Sequence, residues 1–145
     1  MNLPTRFIVV DDDRSNNIIC EFSLRRFSPI TEIKTFLDPE KALEFIKESY
    51  IHTSKNSPTL LFLDINMPVI TGWDFLEIFQ EFEQIVKEQF TIYLLTSSID
   101  QRDIEKAEIN PLVQGLLPKP LSSKIINSVF TSKLDSTLSD NSPSS

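Results

Sequence analysis

The sequence predicts an α/β fold in which a parallel sheet carries helices on both faces. Three observations lead to this prediction: short apolar runs recur along the chain, segments of helical periodicity separate them, and strand and helix alternate five times. Parallel strands need long crossover connections, usually helices, and these connections are right-handed. Alternation of this kind predicts a doubly wound, five-stranded (βα)5 domain.

The predicted strands are short runs bounded by charged, proline or glycine residues. Apolar runs of this length are typical of strands buried on both faces of a parallel sheet. Four such runs lie at residues 7–10, 60–63, 92–95 and, more weakly, 116–117. A fifth strand is predicted at 32–36, where Ile33 and Phe36 stand among polar residues.

The predicted helices follow the strands. Asp38 can cap free backbone N–H groups and Pro39 suits a first helical turn, after which apolar residues recur every four positions from Ala42. Ser122 and Ser123 are possible caps for an apolar stripe that ends at residue 134. The remaining helices are predicted at 15–27, 73–87 and 99–109.

Two polar segments are predicted to lie outside regular structure. Residues 49–58 form a loop that contains His52, and a lone loop histidine is more often plain surface than a ligand. Residues 135–145 contain five serines and one proline, which predicts a disordered tail. The domain is therefore expected to span residues 1–134.

Composition excludes several classes of function. Among 145 residues, 14 are basic and 21 acidic, and the net charge of −7 disfavours binding to nucleic acid or to an anionic membrane. The single cysteine, Cys20, rules out an intramolecular disulfide. No window approaches the roughly 20 apolar residues of a membrane span, and the first apolar run is too short for a signal peptide. We expect a cytoplasmic protein.

Polar residues with chemical potential follow the predicted strands. Residues 11–13 are three aspartates after the first strand, Asp64 follows the run at 60–63, Thr96 and Ser97 follow the run at 92–95, and Lys119 follows the last strand. In such folds, ligands bind beyond the carboxyl ends of the strands. Neighbouring carboxylates repel by about 4 kcal/mol per pair at a protein surface. Mg²⁺, a hard cation that prefers oxygen ligands, and one lysine would balance this charge.

Each of these residues also has a structural explanation. The aspartates at 11–13 and Asp64 are of types that cap helices or stabilise turns. Thr96 and Ser97 are possible caps of the following helix, and Lys119 is a possible solvated surface residue. The joint placement at successive strand ends is what favours a site.

Four motifs carry a family resemblance. In chain order they are FIVVDDD, LLFLDINMPVITG, IYLLTSS and GLLPKP, and they span residues 7–120. Together they resemble the receiver domains of two-component signalling, the CheY-like response regulators. The resemblance implies the flavodoxin-like strand order 2-1-3-4-5 and extends to about residue 134.

The resemblance assigns the acidic residues. Asp64 would be the phosphoacceptor. Asp12 would bind Mg²⁺ directly, Asp11 would act mostly through water, and Asn66 would offer its backbone carbonyl. Asp13 falls at a variable position, outside the core site.

It also assigns the groups around the phosphoryl oxygens. Thr96 would turn its hydroxyl toward the phosphoryl group, Ser97 would offer its backbone N–H, and Lys119 would pair with the group just before a proline whose bond is usually cis. Leu116 stands where the family usually has phenylalanine or tyrosine, so the conformational switch of the family would lack its aromatic residue here. The only glycines, Gly72 and Gly115, are predicted to mark close approaches or special backbone geometry.

The implied function is that of a phospho-accepting signalling module. It would take phosphate from a histidine kinase or phosphotransfer protein, catalysing only its own phosphorylation and dephosphorylation. A downstream target protein would contact the face formed by the helix at 99–109, the fifth strand and the last helix. The chain would be a monomer or a phosphorylation-dependent dimer.

Three alternative functions are each disfavoured by the sequence. A pseudo-receiver would be an interaction module that never carries phosphate, but it would have no reason to keep so costly a charge cluster. A haloacid-dehalogenase-type phosphohydrolase would have an acid two residues after its nucleophile, where this chain has Asn66. A nucleotide-binding protein would need a GxxxxGK loop, which the sequence lacks.

Overall fold

The computed structural model of the chain describes residues 4, 6–29, 31–52 and 58–140, with side chains up to residue 131. Strands and helices alternate along it. The strands are β1 (Arg6–Val10), β2 (Glu32–Phe36), β3 (Thr59–Asp64), β4 (Phe90–Thr96) and β5 (Val113–Pro118). The helices are α1 (Arg14–Phe27), α2 (Pro39–Tyr50), α3 (Gly72–Gln80), α4 (Gln84–Lys87), α5 (Gln101–Ile109) and α6 (Ser123–Asp140).

The five strands form one parallel sheet in the order β2-β1-β3-β4-β5. This confirms the predicted fold class and strand order. In register, Val10 of β1 stands beside Leu63 of β3, and Leu63 stands beside Leu94 of β4. The ends of the three central strands therefore lie at the same edge of the sheet.

Two apolar cores sandwich the sheet, because successive side chains of a strand point to opposite faces. One face packs α2, α3 and α4 against strand side chains such as Ile8, Leu61 and Leu94. The other packs α1 and α6 against Phe7 and Phe62, among others. Burial of the central strands on both faces explains why they read as unbroken apolar runs.

Helix starts follow the polar residues that the sequence offers as caps. The Asp38 side chain accepts a hydrogen bond from the backbone N–H of Glu40 at 2.9 Å, with Pro39 in the first turn of α2. The Ser122 hydroxyl accepts from the N–H of Ile125 at 3.3 Å at the start of α6. The predicted caps Asp38 and Ser122 are confirmed, whereas Ser123 is the first residue of α6.

The prediction of one helix over 73–87 is wrong. α3 ends at Gln80, and α4 begins at Gln84. Between them the N–H groups of Glu81 and Phe82 bond to the carbonyls of Ile78 and Phe79, which tightens the end of α3. No glycine or proline marks the break, and apolar residues continue through it, so periodicity does not reveal it.

Other boundaries also differ from the prediction: α5, for example, begins at Gln101 and not at residue 99. α2 extends to Tyr50, into the predicted loop, of which residues 53–57 lie outside the described part of the chain. α6 continues to Asp140, past the predicted end of the domain at residue 134. Residues 141–145 lie outside the description, and the domain boundary at 134 stays a prediction.

Candidate functional site

The carboxyl ends of β1 and β3 bring three aspartates together. Asp11 directly follows β1, and Asp64 is the last residue of the neighbouring strand β3. One carboxylate oxygen from each of Asp11, Asp12 and Asp64 lies within 4.8 Å of the other two. Asp11 and Asp64 are 0% and 1% exposed, whereas Asp12 is exposed. The acidic cluster therefore has two buried members and one at the surface.

Lys119 lies between the two buried aspartates. Its Nζ donates a hydrogen bond to Asp11 Oδ2 at 3.1 Å and lies 3.2 Å from Asp64 Oδ1, with 16% of the side chain exposed. Its backbone N–H donates to the carbonyl of Thr96 at 2.8 Å, and the peptide bond to Pro120 is cis, as the family resemblance implied. Lys119 is thus part of the cluster and not a solvated surface lysine.

The electrostatics of the cluster are set by burial and by charge. Burial, and next the charge of Asp11, raise the pKa of Asp64 to about 6, although Lys119 opposes the shift. Burial alone would lower the pKa of Lys119. The negative charges of Asp11 and Asp64, and the hydrogen bonds that Lys119 makes with them, outweigh the effect of burial and raise the pKa of Lys119. The ammonium therefore stays charged, and one ammonium offsets the repulsion between the buried carboxylates only in part.

The two carboxylate oxygens of Asp64 have different surroundings. Oδ1 pairs with Lys119 and accepts a hydrogen bond from the backbone N–H of Asn66 at 3.2 Å. Oδ2 is buried and has no hydrogen-bond partner. A buried polar atom without a partner is costly, and among the described residues Asn17 Oδ1 and Gln89 Oε1 are the other two such side-chain atoms. Asp64 Oδ2 is the one that belongs to the carboxylate cluster, where an external group could satisfy it.

Thr96 ends β4, one residue beyond the position that pairs with Asp64 in the sheet. Its buried hydroxyl donates to the carbonyl of Ser98 at 3.0 Å and accepts from the N–H of Ser98 at 3.2 Å. The helix that follows is capped by Asp100 and not by Thr96. In this conformation the Thr96 hydroxyl is therefore engaged within its own loop.

The other predicted site residues occupy the loops and the last strand. Asn66 and Ser97 are exposed in the loops that follow β3 and β4. Leu116 of β5 pairs with Leu94 of β4. It is half-buried against the core on the sheet face that packs α2, α3 and α4. The phosphoryl-binding role of Ser97, the carbonyl role of Asn66 and the switch role of Leu116 stay predictions.

Sequence reasoning missed two buried asparagines of α1. The Asn16 side chain donates to Asp11 Oδ2 at 2.6 Å, and the Asn17 side chain donates to the Asp11 backbone carbonyl at 2.9 Å. Asparagine is a poor helix former, so two in succession within a first turn were the available indication. Asp13 is the N-cap of α1, which confirms the capping interpretation for that residue alone.

The residues present fit a divalent cation. Three carboxylates converge within 4.8 Å, two of them are buried, and Asp64 Oδ2 lacks a partner. Oxygen-only ligands, few in number and partly open to solvent at Asp12, suit Mg²⁺ with bound water better than zinc. Receiver domains bind Mg²⁺ at an acidic site of this kind.

Gly72 lies directly against the backbone at the end of β3. A Cβ at Gly72 would lie 2.7 Å from the carbonyl oxygen of Asp64 and 2.9 Å from the Cα of Ile65. The Gly72 N–H donates to the carbonyl of Ile65 at 2.8 Å. The predicted close approach is confirmed, and it holds the turn after β3 directly against the backbone of Asp64.

Comparison with known proteins agrees with this geometry. The sequence matches the family described as response regulator receiver domain over residues 7–130. The chain belongs to this family. A comparison with curated protein sequences gave no match.

Solved structures extend the likeness to the whole receiver. This chain is similar to a two-component response regulator from Cytophaga hutchinsonii, with 29% identity, a TM-score of 0.78, and coverage of 90% of this chain and 96% of the other. It is also similar to a response regulator receiver protein from Dyadobacter fermentans, with 29% identity, a TM-score of 0.74, and coverage of 86% of this chain and 93% of the other. Vibrio cholerae chemotaxis protein CheY4 shares the fold, at 20% identity and a TM-score of 0.70, with 89% and 98% covered.

Among the described residues, no helix of the receiver is both long enough and apolar enough to cross a membrane.

Proposed function

We propose that this receiver accepts a phosphoryl group on Asp64 from a phosphohistidine of a histidine kinase or phosphotransfer protein. One observation carries the proposal: Asp64 Oδ2 is buried without a hydrogen-bond partner beside two other carboxylates and the Lys119 ammonium. A carboxylate is a competent acceptor of phosphoryl groups, and the reaction depends chiefly on alignment and charge neutralisation.

The transfer exchanges one bond for another. Asp64 Oδ2 attacks the phosphorus, the phosphorus–nitrogen bond to the donor histidine breaks, and the imidazole keeps the electron pair and takes up a proton. Later a water molecule attacks the phosphorus of the acyl phosphate, which releases inorganic phosphate and restores the carboxylate. Lys119 pairs with a phosphoryl oxygen, and the backbone N–H of Ser97 donates to another.

Asp11, Asp12, Asp64 and the backbone carbonyl of Asn66 would hold Mg²⁺. When bound, the ion neutralises negative charge on the carboxylates and on the phosphoryl oxygens. The chain's own contribution is to hold Asp11 in place through Asn16 and Lys119, whose side chains both donate to Asp11 Oδ2.

Thr96 connects the site to an output surface. To reach the phosphoryl group its hydroxyl has to leave both of its hydrogen bonds with Ser98, which releases the loop between β4 and α5. The face formed by α5, β5 and α6 would then present a second conformation to a downstream target protein. With Leu116 in place of an aromatic residue, this switch depends on Thr96 and its loop. We place the receiver in the cytoplasm, with its kinase.

Acetyl phosphate or beryllium fluoride, each offered with Mg²⁺, tests the proposal. We expect a phosphoryl adduct by intact mass with the first, and NMR shifts at Thr96 and Ser98 with the second. Asp64→Asn removes the adduct, and Asp103→Asn, at a carboxylate on α5, keeps it. An unlabelled parent, or labelling of Asp64→Asn equal to that of the parent, overturns the proposal.

A further inference from the structure

An apolar groove lies between α2 and the α3–α4 segment. Two adjoining cavities of about 630 Å³ and 620 Å³ form it, and they are continuous because Lys47, Ile51, Ile78 and Phe82 line both. Buried Leu43 and Val86 add to its apolar lining. We refer to it as the α2–α3 groove.

The α2–α3 groove offers apolar surface to a partner. Ile78 of α3, which lines both cavities, is 44% exposed, and Ile51 and Phe82 are half-buried. Single exposed apolar residues are ordinary on protein surfaces, but here they line a concavity of the size that ligands occupy.

The rim of the α2–α3 groove is strongly acidic. Five exposed glutamates line it, against one lysine and one histidine. They are Glu44, Glu48, Glu77, Glu81 and Glu83. Within the described residues, no ion pair includes any of the five. Their charges are therefore available to an incoming cationic group.

We propose that the α2–α3 groove binds a basic amphipathic helix of a partner protein. Apolar side chains on one face of such a helix would enter the groove, and lysines or arginines beside them would meet the glutamate rim. A partner strand is disfavoured, because the groove lies between helices and the sheet edges are β2 and β5. A second copy is disfavoured, because two chains that each carry a net charge of −7 repel one another.

This surface is separate from the phosphoacceptor site. In a parallel sheet the helices run opposite to the strands, so α2 and α3 begin at the edge that carries Asp64 and end at the far edge. The α2–α3 groove uses the last turns of both helices together with the extra helix α4. It therefore lies toward the far edge and apart from the α5–β5–α6 face.

A synthetic peptide tests the proposal, with leucine on one helical face and lysine and arginine on the other. A peptide of the same composition, shuffled so that the leucines share no face, is the control. We expect the first to shift the NMR signals of Ile51, Ile78 and Phe82, and the second to bind far more weakly. Shifts centred on the aspartate cluster, or equal binding of both peptides, overturn the proposal.

Two pairs of variants separate the apolar contact from the charge. Ile78→Asp is expected to weaken peptide binding by about tenfold or more, whereas Ile109→Asp, at a residue 83% exposed outside the groove, leaves it unchanged. Glu44→Gln with Glu81→Gln is expected to weaken binding about threefold and to reduce its salt dependence. Glu105→Gln with Glu108→Gln, on α5, is the matched charge control.

Equal losses in Ile78→Asp and Ile109→Asp contradict the assignment of the apolar contact. Equal losses of peptide binding in the two glutamate pairs would show that only the net charge of the chain matters. That result would overturn the role of the glutamate rim and with it the proposal. Sedimentation tests the competing occupant. Self-association of the chain that Ile78→Asp abolishes would place a second copy in the groove instead of a partner.

Discussion

At the scale of single residues, Asp64 combines burial with an unbalanced charge. Its pKa is raised from 3.8 to about 6, first by burial and then by Asp11. The folded chain therefore holds this proton more tightly than the unfolded chain does. It follows that ionising Asp64 destabilises the fold when no divalent cation is bound.

This predicts a particular pH dependence of stability. Without divalent cations, the Asp64 contribution is most favourable below about pH 4 and is lost as the pH rises to about 6, amounting to about 3 kcal/mol. Asp64→Asn removes this loss and is more stable than the parent at neutral pH. Urea unfolding in EDTA across that range measures it, with Glu108→Gln as the control. Parallel pH profiles for the parent and Asp64→Asn would contradict the prediction.

Asn16 is the second residue whose effect is testable. Its side chain donates to Asp11 Oδ2 at 2.6 Å, so it orients a proposed cation ligand without being one. Asn16→Ala is expected to lower Mg²⁺ affinity about tenfold, as loss of a group that orients a ligand commonly does. Calorimetric titration measures the affinity, and Asn127→Ala, at an exposed position of α6, is the control. An unchanged affinity in Asn16→Ala would show that Lys119 suffices to position Asp11.

At the scale of elements, the turn from β3 into α3 holds the backbone of Asp64 in place. Gly72→Ala would place a methyl group 2.7 Å from the Asp64 carbonyl, a backbone atom that cannot move alone. We expect a stability loss of about 2 kcal/mol, typical of overpacking, and slower phosphorylation. Unfolding titrations and the rate of labelling by acetyl phosphate measure the two effects.

Gly115→Ala is the matched control for this prediction. Its Cβ would lie 3.2 Å from the Tyr93 ring, a side chain that has only to give by a few tenths of an ångström. We expect a change in stability of less than about 1 kcal/mol. A loss in Gly115→Ala as large as in Gly72→Ala would show that neither position owes its glycine to backbone contact.

Elements with local causes were predictable from the sequence. The strands at 7–10 and 60–63 have apolar residues on both faces, and α2 has its aspartate cap and its proline. Residues within or next to each of these elements therefore determine its structure. The break between α3 and α4 was not predictable, because it depends on carbonyl hydrogen bonds that no residue type marks. The α2–α3 groove depends on that break and was hidden for the same reason.

At the scale of the whole molecule, folding itself gathers the charges. Asp64 is far along the unfolded chain from the adjacent pair Asp11 and Asp12, and in the fold carboxylate oxygens of all three lie within 4.8 Å of one another. A cation that binds only the folded form therefore stabilises it, by about 2.7 kcal/mol at one hundred times the dissociation constant.

Mg²⁺ is accordingly expected to raise the free energy of unfolding of the parent, and EDTA to reverse the effect. Asp12→Asn, at the exposed member of the cluster, is expected to lose most of this increment while keeping the stability of the cation-free parent. Urea titrations with and without Mg²⁺ measure both quantities. A parent whose stability ignores Mg²⁺ would contradict the presence of a cation site.

The site as a whole was predictable because topology places distant strand ends together. Four motifs, each weak alone, identify Asp11, Asp64, Thr96 and Lys119 once a parallel sheet is assumed. Details that depend on side-chain orientation were not predictable. The engagement of the Thr96 hydroxyl with Ser98 and the missing partner of Asp64 Oδ2 are set by tertiary packing.

The bond from Lys119 to Asp11 joins residues 108 positions apart. During translation Asp64 is added long before Lys119, and until β5 pairs with β4, Asp64 lacks the ammonium of Lys119 beside it. Under the proposed function, an incompletely synthesised chain would therefore not accept a phosphoryl group from its kinase. Only molecules whose last strand is in place would enter the signalling pool.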